Sequence, residues 1–439
     1  MKNPQTQSLI NFLNDSPCNF WAVETASRML DDAGFIGLDL RDQWNLIPGG
    51  KYYTTKNGSA IFAFIVGTDP AAGYKIISAH SDSPGFRIKP NAEILSDGNI
   101  LKLNTEVYGG PILYTWFDRP LSIAGRVILR PEGSTLPADL LHPEVKLVKF
   151  NRPVLTIPHL AIHFNRNVND GNKLSKQKDM LPVCAIINSE CEKDNFLLNA
   201  VAKELGVAPE RILDFDLTLY DTTPAMTVGF NDEFITSGRI DDLEMVHCAL
   251  TSMIQSSKNE TPQRMTRVMA IFDNEETGSG TKQGAASPVL CGIFNRIEEA
   301  LDASTSDTER ASANSFMISA DNAHGTHPNY AEKQDPTNHP VLGGGPVIKI
   351  NANCKYMTDA DSASVFRLIC EKAGVPCQYF VNHSDSAGGS TLGNIFTSQY
   401  EIRGVDMGAA QWAMHSARET ASVADAISIT TAFTIFYDL

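Results

Sequence analysis

Hydrophobic positions in the first thirty residues recur at the spacing of a helix. Leu9, Phe12 and Leu13 lie three or four residues apart, and Val23 and Leu30 continue the same periodicity. Polar residues fill the positions between them, as expected for an amphipathic helix that buries one face. The pattern therefore predicts that the chain begins with helical structure.

Several later apolar runs have the length and composition of buried strands. These strand candidates lie at residues 59–66, 74–79, 267–272 and 315–319. An amphipathic segment at residues 243–254, with acidic residues in its first turn, has the character of a helix beginning there. Alternation of strands and helices predicts an α/β fold built on one sheet.

The pattern changes between residues 93 and 225. Short β-like runs such as residues 123–129 are separated by turn residues, and one helix-like segment spans residues 195–205. We therefore predict an α/β domain formed by residues 1–92 and 226–439, with a mixed β-sheet flanked by helices. Residues 93–225 would form a second, mainly-β domain inserted into the first.

Length and composition narrow the class of protein. A chain of 439 residues favours two domains, and a net charge of −15 without a basic stripe argues against nucleic-acid or anionic-membrane partners. The start lacks the apolar core of a signal peptide, and no stretch approaches the roughly 18 apolar residues of a membrane span. Eight cysteines without a C-x-x-C pair favour reduced thiols, Cys191 among them. A soluble cytoplasmic protein is expected.

Polar side chains follow the predicted strands at the points where the strands end. His80 and Asp82 come after the second strand, Glu275 and Glu276 after the third, and Asp321 after the fourth. In open α/β sheets, ligands bind beyond the carboxyl ends of strands. These groups, far apart in the sequence, are therefore expected to converge at one edge of the sheet.

The residue types suit a zinc site. Histidine and carboxylate are zinc ligands, and a carboxylate such as Asp241 can bridge two ions through its two oxygens. Taken singly, each residue has a simpler structural interpretation: Asp241 and Asp242 as a helix cap, and His415 as a core histidine. The combination of these residues indicates a shared metal site.

A set of motifs, in order along the chain, resembles the aspartyl aminopeptidase family. The motifs are AHSDSP at 79–84, IPHLAIH at 157–163, GRIDD at 238–242, DNEETGS at 273–279, SADNAH at 319–324, GPVIK at 345–349 and MHSARE at 414–419. Members of this family are co-catalytic zinc peptidases that assemble as tetrahedral dodecamers. The resemblance covers nearly the whole chain, and it implies a peptidase acting on substrates with a free N-terminus.

The resemblance also implies a ligand set for two zinc ions per subunit. His80 and Asp321 would hold one ion, Glu276 and His415 would hold the other, and Asp241 would bridge them. Cobalt or manganese could substitute for zinc. In this family the residue after the bridging aspartate is usually asparagine, whereas here it is Asp242.

Further roles carried over by motif concern catalysis and the substrate. Glu275 would be the general base that activates the attacking water, and Asp82 would orient His80. Lys349 would face the acidic side chain of an N-terminal Asp or Glu, with Tyr356 as a second candidate. His163, in the inserted dimerisation or lid domain, would reach the active site of a neighbouring subunit.

Alternatives to this function stay open. The same scaffold could serve a broader aminopeptidase, a deacylase or a carboxypeptidase, or a non-catalytic assembly protein. In the loop at residues 384–391, Ala387 and Gly388 stand where the family often has Pro-Cys, so substrate preference could differ. The glycines at 343–345 lack the Lys-Ser/Thr of a phosphate loop and are interpreted as a turn before Lys349.

Overall fold

A computed structural model describes residues 3–131, 140–188, 193–259, 261–386 and 388–439. Cys191 and Ala387 lie outside these ranges. Contacts divide the chain into two compact units. The first unit is Met1–Ser83 with Ala225–Met414 and Glu419–Leu439, and the second is Pro84–Pro224 with His415–Arg418.

The helices confirm the predicted helical start of the chain. In chain order they are α1 (Pro4–Asp15), α2 (Asn19–Asp32), α3 (Phe196–Leu205), α4 (Ile240–Ser256), α5 (Val289–Ala300), α6 (Thr305–Asn314), α7 (Ala360–Ala373), α8 (Leu392–Phe396) and α9 (Val423–Asp438). Helix α3 belongs to the second unit and the others to the first. None of the described helices combines the length and apolar composition that crossing a membrane requires.

The strands form three sheets. In chain order they are β1 (Ile36–Leu38), β2 (Lys51–Lys56), β3 (Ala60–Ile65), β4 (Tyr74–His80), β5 (Gly85–Ser96), β6 (Ile100–Tyr108), β7 (Leu121–Leu129), β8 (Glu144–Lys149), β9 (Val183–Ile186), β10 (Ile212–Asp221), β11 (Met226–Val228), β12 (Phe234–Ser237), β13 (Thr266–Phe272), β14 (Phe316–Ala320), β15 (Ala323–His324), β16 (Val347–Ile350), β17 (Gln378–Val381), β18 (Arg403–Gly408), β19 (Ala410–Trp412) and β20 (Glu419–Ser422). All four strand candidates of the first domain correspond to observed strands.

A nine-stranded mixed sheet organises the first unit, in the order β1-β2-β3-β13-β4-β14-β18-β16-β17. Its central strands β13, β4, β14 and β18 run parallel. Strand β3 runs antiparallel to both of its neighbours, whereas β16 runs antiparallel to β18 and parallel to β17. The register pairs Phe272 with His80. The carboxyl ends of the central strands therefore meet at one edge, which confirms the predicted α/β fold class.

Helices cover both faces of this sheet, and successive residues of one strand pack into different hydrophobic cores. On β4, Ile77 packs with α1, α2, α4, α7 and α9, whereas Ile76 packs with residues of α5 and α8. Side chains of a strand alternate between the two faces of a sheet. Every residue of β4 is buried, which explains why Ile76 and Ile77 follow one another instead of alternating with polar residues.

A small second sheet of the first unit was not predicted. Its order is β11-β12-β20-β19-β15. Strand β20 begins at Glu419, whose side chain is 1% exposed. The strands of this sheet are only two to four residues long, which is too short for hydrophobic periodicity to reveal them.

The second unit contains a six-stranded antiparallel sheet in the order β8-β7-β10-β5-β6-β9, with its own hydrophobic core. The predicted boundary at residue 93 falls inside β5, because that strand pairs with β6 from Gly85 onward. The unit therefore begins at Pro84. The short segment His415–Arg418 also belongs to it, which the sequence pattern did not indicate.

Two buried cations lie at the amino ends of the central strands. Lys75 and Arg267 pair directly across β4 and β13 and are 4% and 2% exposed. Lys75 donates to the carbonyl of Tyr437, and Arg267 donates to the carbonyl of Ser256, at the carboxyl ends of α9 and α4. Cations stabilise the carboxyl ends of helices because they meet unpaired carbonyls and the negative end of the helix dipole.

A buried histidine links α4 to the N-terminal helix. His247 is 1% exposed, and its Nε2 lies 2.9 Å from the hydroxyl of Ser8 on α1. Burial lowers the pKa of His247 to about 4. The unfolded chain therefore binds a proton between about pH 6.5 and pH 4 that the folded protein does not, so stability must fall as pH drops through that window.

We expect His247→Gln to remove this part of the acid sensitivity. The free energy of unfolding of the wild type should fall by roughly 3 kcal/mol more than that of the variant between pH 7 and pH 4, as measured by urea denaturation at a series of pH values. His142→Gln, at an exposed histidine of the second unit, is the control and should follow the wild type. An unchanged pH dependence in His247→Gln would refute the assignment.

Candidate metal centre

His80 is the last residue of β4 and is held in one orientation. Its backbone N–H donates to Oδ2 of Asp242 at 3.0 Å, and its Nδ1 donates to the carbonyl of Asp82 at 3.0 Å. The other ring nitrogen, Nε2, lies 3.3 Å from Oδ1 of Asp241. Because a carbonyl can only accept, the proton stays on Nδ1 and Nε2 is directed at the carboxylates. This is the arrangement of a metal-ligating imidazole.

Asp82 connects two strand ends through its carboxylate. Oδ1 accepts the backbone N–H of Glu275 at 3.1 Å, and Oδ2 accepts that of Glu276 at 3.2 Å. Its contact with the imidazole of His80 is longer, at 3.4 Å, so the ring is oriented chiefly by the carbonyl of Asp82. The main structural task of this carboxylate is to hold the turn Glu275–Thr277 against the end of β4.

Asp241 and Asp242 do not cap α4. Both have non-helical backbone angles, the peptide bond between them is cis, and the N-cap position is Arg239. The N–H of Asp241 donates to Oε2 of Glu419 at 3.1 Å, and its carbonyl accepts the hydroxyl of Ser83 at 2.8 Å. The helix-cap interpretation is therefore wrong, and both carboxylates are available to the cluster around His80.

Two overlapping groups of potential ligands share His80. Ligand atoms within 4.8 Å of one another come from His80, Asp241, Asp242 and Asp321 in the first group, and from His80, Glu275 and Glu276 in the second. Within the first unit, the structure thus brings together the four residues predicted there as ligands, and it adds Asp242. Asp241, Asp242 and Asp321 are all at most 9% exposed.

Burial and mutual repulsion dominate the electrostatics of this cluster. The pKa values of Asp242 and Glu276 are raised well above their ordinary range, because burial penalises the charged form and neighbouring carboxylates repel it. Burial likewise raises the pKa of Glu275 to about 8. Burial alone would lower the pKa of His80, but Asp242, Asp241 and Asp82 raise it well above its usual value.

A divalent cation fits these groups. Oδ1 of Asp242 is buried and has no hydrogen-bond partner among the described residues. A buried acceptor left in this way is costly, and a cluster of buried carboxylates needs a positive counter-charge. One imidazole with several carboxylates is a donor set that suits zinc. The residues present therefore fit zinc.

Lys349 and Tyr356 lie beside the ligand group. Lys349 on β16 is 4% exposed, and its Nζ is 3.4 Å from Oδ2 of Asp321 and 5.8 Å from the centre of the Tyr356 ring. Burial acts to lower the pKa of Lys349, but the charges of Asp321, Tyr356, Asp406 and Asp241 together outweigh burial, and the pKa is raised. The two predicted substrate residues are thus neighbours, and the lysine is a charged partner of Asp321.

The remaining predicted residues belong to the second unit. His415 lies in the segment His415–Arg418, where its Nδ1 is 3.2 Å from the carbonyl of Gly110. His163 is exposed in a turn at residues 162–164.

Sequence reasoning assigned no role to two groups that shape the centre. Asp242 was noted only as a departure from the family pattern, although two adjacent aspartates at a predicted helix start could have signalled more than a cap. Glu419 closes the motif at residues 414–419, but only the structure connects it to the backbone of Asp241.

Asp82→Asn should loosen the centre. An amide offers one acceptor oxygen, so one of the two N–H groups of Glu275 and Glu276 would lose its partner. Loss of a residue that orients ligands typically lowers metal affinity by about 10- to 100-fold, and zinc titration of the metal-free protein would measure this. Asp69→Asn is a control, because Asp69 caps the turn before the opposite end of β4. Equal zinc affinities of the two variants would contradict the role given to Asp82.

Comparisons with known proteins identify the family to which the chain belongs. Residues 12–437 match the family described as aminopeptidase I zinc metalloprotease (M18). A protein of Clostridium novyi described as a probable M18 family aminopeptidase 2 is 49% identical over 433 residues, which cover 98% of each chain. A counterpart in Pseudomonas aeruginosa is 40% identical over 441 residues, covering 100% of this chain and 99% of the relative.

Solved structures give the same result. A chain from the cryo-EM structure of the Ape4 and Nbr1 complex matches with a TM-score of 0.93 and 33% identity, covering 99% of this chain and 85% of that one. The structure of the S. cerevisiae mApe1 dodecamer matches with a TM-score of 0.85 and 27% identity, covering 99% and 96%. This chain belongs to the M18 family of zinc aminopeptidases, which are hydrolases acting on peptide bonds.

Proposed function

We propose that this aminopeptidase releases N-terminal Asp or Glu residues from peptides and uses two zinc ions per subunit to do so. The observation that carries the proposal is the buried lysine beside the ligand group: Nζ of Lys349 lies 3.4 Å from Oδ2 of Asp321. A cation so close to the candidate zinc ligands is suited to an acidic side chain on the residue being released.

The proposed ligands are those implied by the shared motifs. His80 and Asp321 would hold one ion, Glu276 and His415 would hold the other, and Asp241 would be the ligand that they share. The grouping of His80 with Asp241 and Asp321, and of His80 with Glu276, supports four of these five assignments. Cobalt and manganese also accept such ligands, so either could replace zinc.

The chain's own residues supply the proton chemistry and the positioning. Bound zinc lowers the pKa of water and polarises the substrate carbonyl. Glu275 takes the proton of the attacking water and returns it to the leaving amine, as a general base does. Asp82 fixes the backbone of Glu275, and Asp242 fixes the backbone of His80, so the base and the ligand keep their relative positions.

A different role for Lys349 would correspond to an alternative function. Its contact with Asp321 could serve only to hold that ligand, in which case the enzyme would not select acidic residues. The protein would then be a broader aminopeptidase on the same scaffold. The two functions differ in how the loss of Lys349 affects different substrates.

Glu275→Gln should abolish turnover and leave metal binding intact. Removing a general base typically costs about 10²- to 10⁴-fold in kcat. Elemental analysis beside an assay with an Asp-starting peptide would check both properties. Glu276→Gln is the matched control at the neighbouring residue, and it should lose zinc as well as activity. A Glu275→Gln variant that retains wild-type activity would refute the assignment of the base.

Lys349→Ala should affect acidic substrates selectively. We expect kcat/KM for an Asp-starting peptide to fall by at least about 100-fold, because one charge-assisted contact is lost, and that for a Leu-starting peptide to fall far less. Lys355→Ala, at an exposed lysine in the segment between β16 and α7, is the control. Equal losses on both substrates in Lys349→Ala would favour the broader aminopeptidase.

We also propose that the chain works in the cytoplasm as a homo-oligomer, a tetrahedral dodecamer, in which His163 completes a neighbouring active site. One structural relative is described as a dodecamer. Around His163, the side chains of Leu160, Ile162 and Phe164 are 56%, 51% and 81% exposed, which supports contact with another subunit. Light scattering with an activity assay tests this, and an active monomer would refute it.

A further inference from the structure

Asp406 is a buried carboxylate next to the proposed substrate lysine. It lies on β18, is 0% exposed, and belongs to the strand beside β16. The register that pairs Val347 with Gly408 and Ile348 with Met407 brings the next position, Lys349, opposite Asp406. The two side chains interact through their charges.

The carboxylate of Asp406 attaches two segments to the sheet. One is the connection between β16 and α7, which contains Tyr356 and Met357, and the other ends at Thr391, directly before α8. Oδ2 accepts the backbone N–H of Met357 at 2.6 Å, and Oδ1 accepts the hydroxyl of Thr391 at 2.5 Å. Its own backbone N–H donates to the hydroxyl of Thr358 at 2.8 Å. Met357 and Thr358 directly follow Tyr356, so these bonds fix the connection that carries Tyr356.

The side chain of Met357 strengthens the same attachment. A Cβ added to Gly404 would lie 2.4 Å from Cε of Met357, and one added to Gly393 would lie 2.8 Å from its Sδ. Real side chains do not approach so closely, so the methionine occupies space that only glycine leaves open. Met357 is therefore held both by its backbone and by its side chain, one residue away from Tyr356.

We infer that Asp406 is a positioning residue for substrate specificity: it holds the Tyr356 connection against the strand that carries Lys349 and so shapes the subsite for an acidic side chain. The inference rests on the proposed preference for N-terminal Asp or Glu. Asp406 acts through Met357 and Lys349 and is not itself assigned a contact with substrate. When the residue that positions a binding group is removed, the part of the substrate that this group recognises binds more weakly.

Kinetics of two variants of Asp406 test the inference. Asp406→Ala should raise KM for the 4-nitroanilide of aspartate about tenfold and change KM for that of leucine less than about twofold. Asp406→Asn can still accept the N–H of Met357 with its oxygen and donate to Thr391, so it should restore most of the difference. If Asp406→Asn behaves like Asp406→Ala, the effect belongs to charge and positioning by hydrogen bonds is refuted.

A variant at a second position keeps the test valid if Asp406→Ala does not fold. Met357→Ala leaves Asp406 intact and removes only the packing at Gly404 and Gly393, and it should raise KM for the aspartyl substrate in the same direction. Asp359→Ala is the control, because Asp359 is exposed and caps α7 at the end of the same connection. It should lower the melting temperature without altering the ratio of the two KM values. Equal KM changes for both substrates in the Asp406 and Met357 variants would overturn the inference.

Hydrogen exchange separates this inference from the proposed function. In the metal-loaded oligomer, amides of residues 351–358 should exchange at least about tenfold faster in Asp406→Ala than in the wild type, and at the wild-type rate in Asp406→Asn. Unchanged exchange in Asp406→Ala would refute the positioning role. If the wild type shows no preference for the aspartyl substrate, the proposed specificity fails, while exchange still decides whether Asp406 holds the connection.

Discussion

Repulsion among buried carboxylates at the carboxyl edge of the central sheet is the constraint on which the rest of the first unit depends. Asp241, Asp242 and Asp321 form one group of potential ligands with the imidazole of His80, and Glu275 and Glu276 form a second group with the same imidazole. Such a concentration of like charge is stable only with nearby positive charge and with hydrogen bonds to the carboxylates. Lys349 and the backbone N–H groups around Asp82 and Asp242 meet part of that requirement, and a divalent cation held by these residues would supply the rest.

The central strands also have positive side chains at their amino ends and lead into negative ones at their carboxyl ends. Lys75 and Arg267 are buried at the amino ends of β4 and β13, where each meets the carbonyls of a helix terminus. His80 and Phe272, in register at the other ends of the same strands, lead into the acidic cluster. Burial lowers the pKa of Lys75 to about 8, so placing it there has a cost that its two hydrogen bonds offset. The two edges of the sheet therefore differ in charge, with buried cations at one and carboxylates at the other.

The sequence was sufficient to predict the fold class and the grouping around His80, because apolar runs end abruptly in polar residues at the strand ends. It could not reveal contacts that depend on register between distant strands, such as Lys349 with Asp321, or Asp406 opposite Lys349. The two hydrogen bonds at Asp82 were also invisible, since they involve backbone groups of Glu275 and Glu276. The predicted boundary at residue 93 differs from the start of the second unit at Pro84, because the hydrophobic pattern changes only partway along β5.

The hydrogen bonds between Asp82 and the turn at Glu275 have a consequence for how the protein is made. They join parts of the chain 193 and 194 residues apart, and the whole of Pro84–Pro224 lies between them. During synthesis the first proposed ligand, His80, emerges from the ribosome well before the others. Closing so long a loop follows rather than precedes local folding. A high-affinity metal site therefore appears only once the intervening unit has been made, and a nascent fragment cannot cut peptides before its own fold is complete.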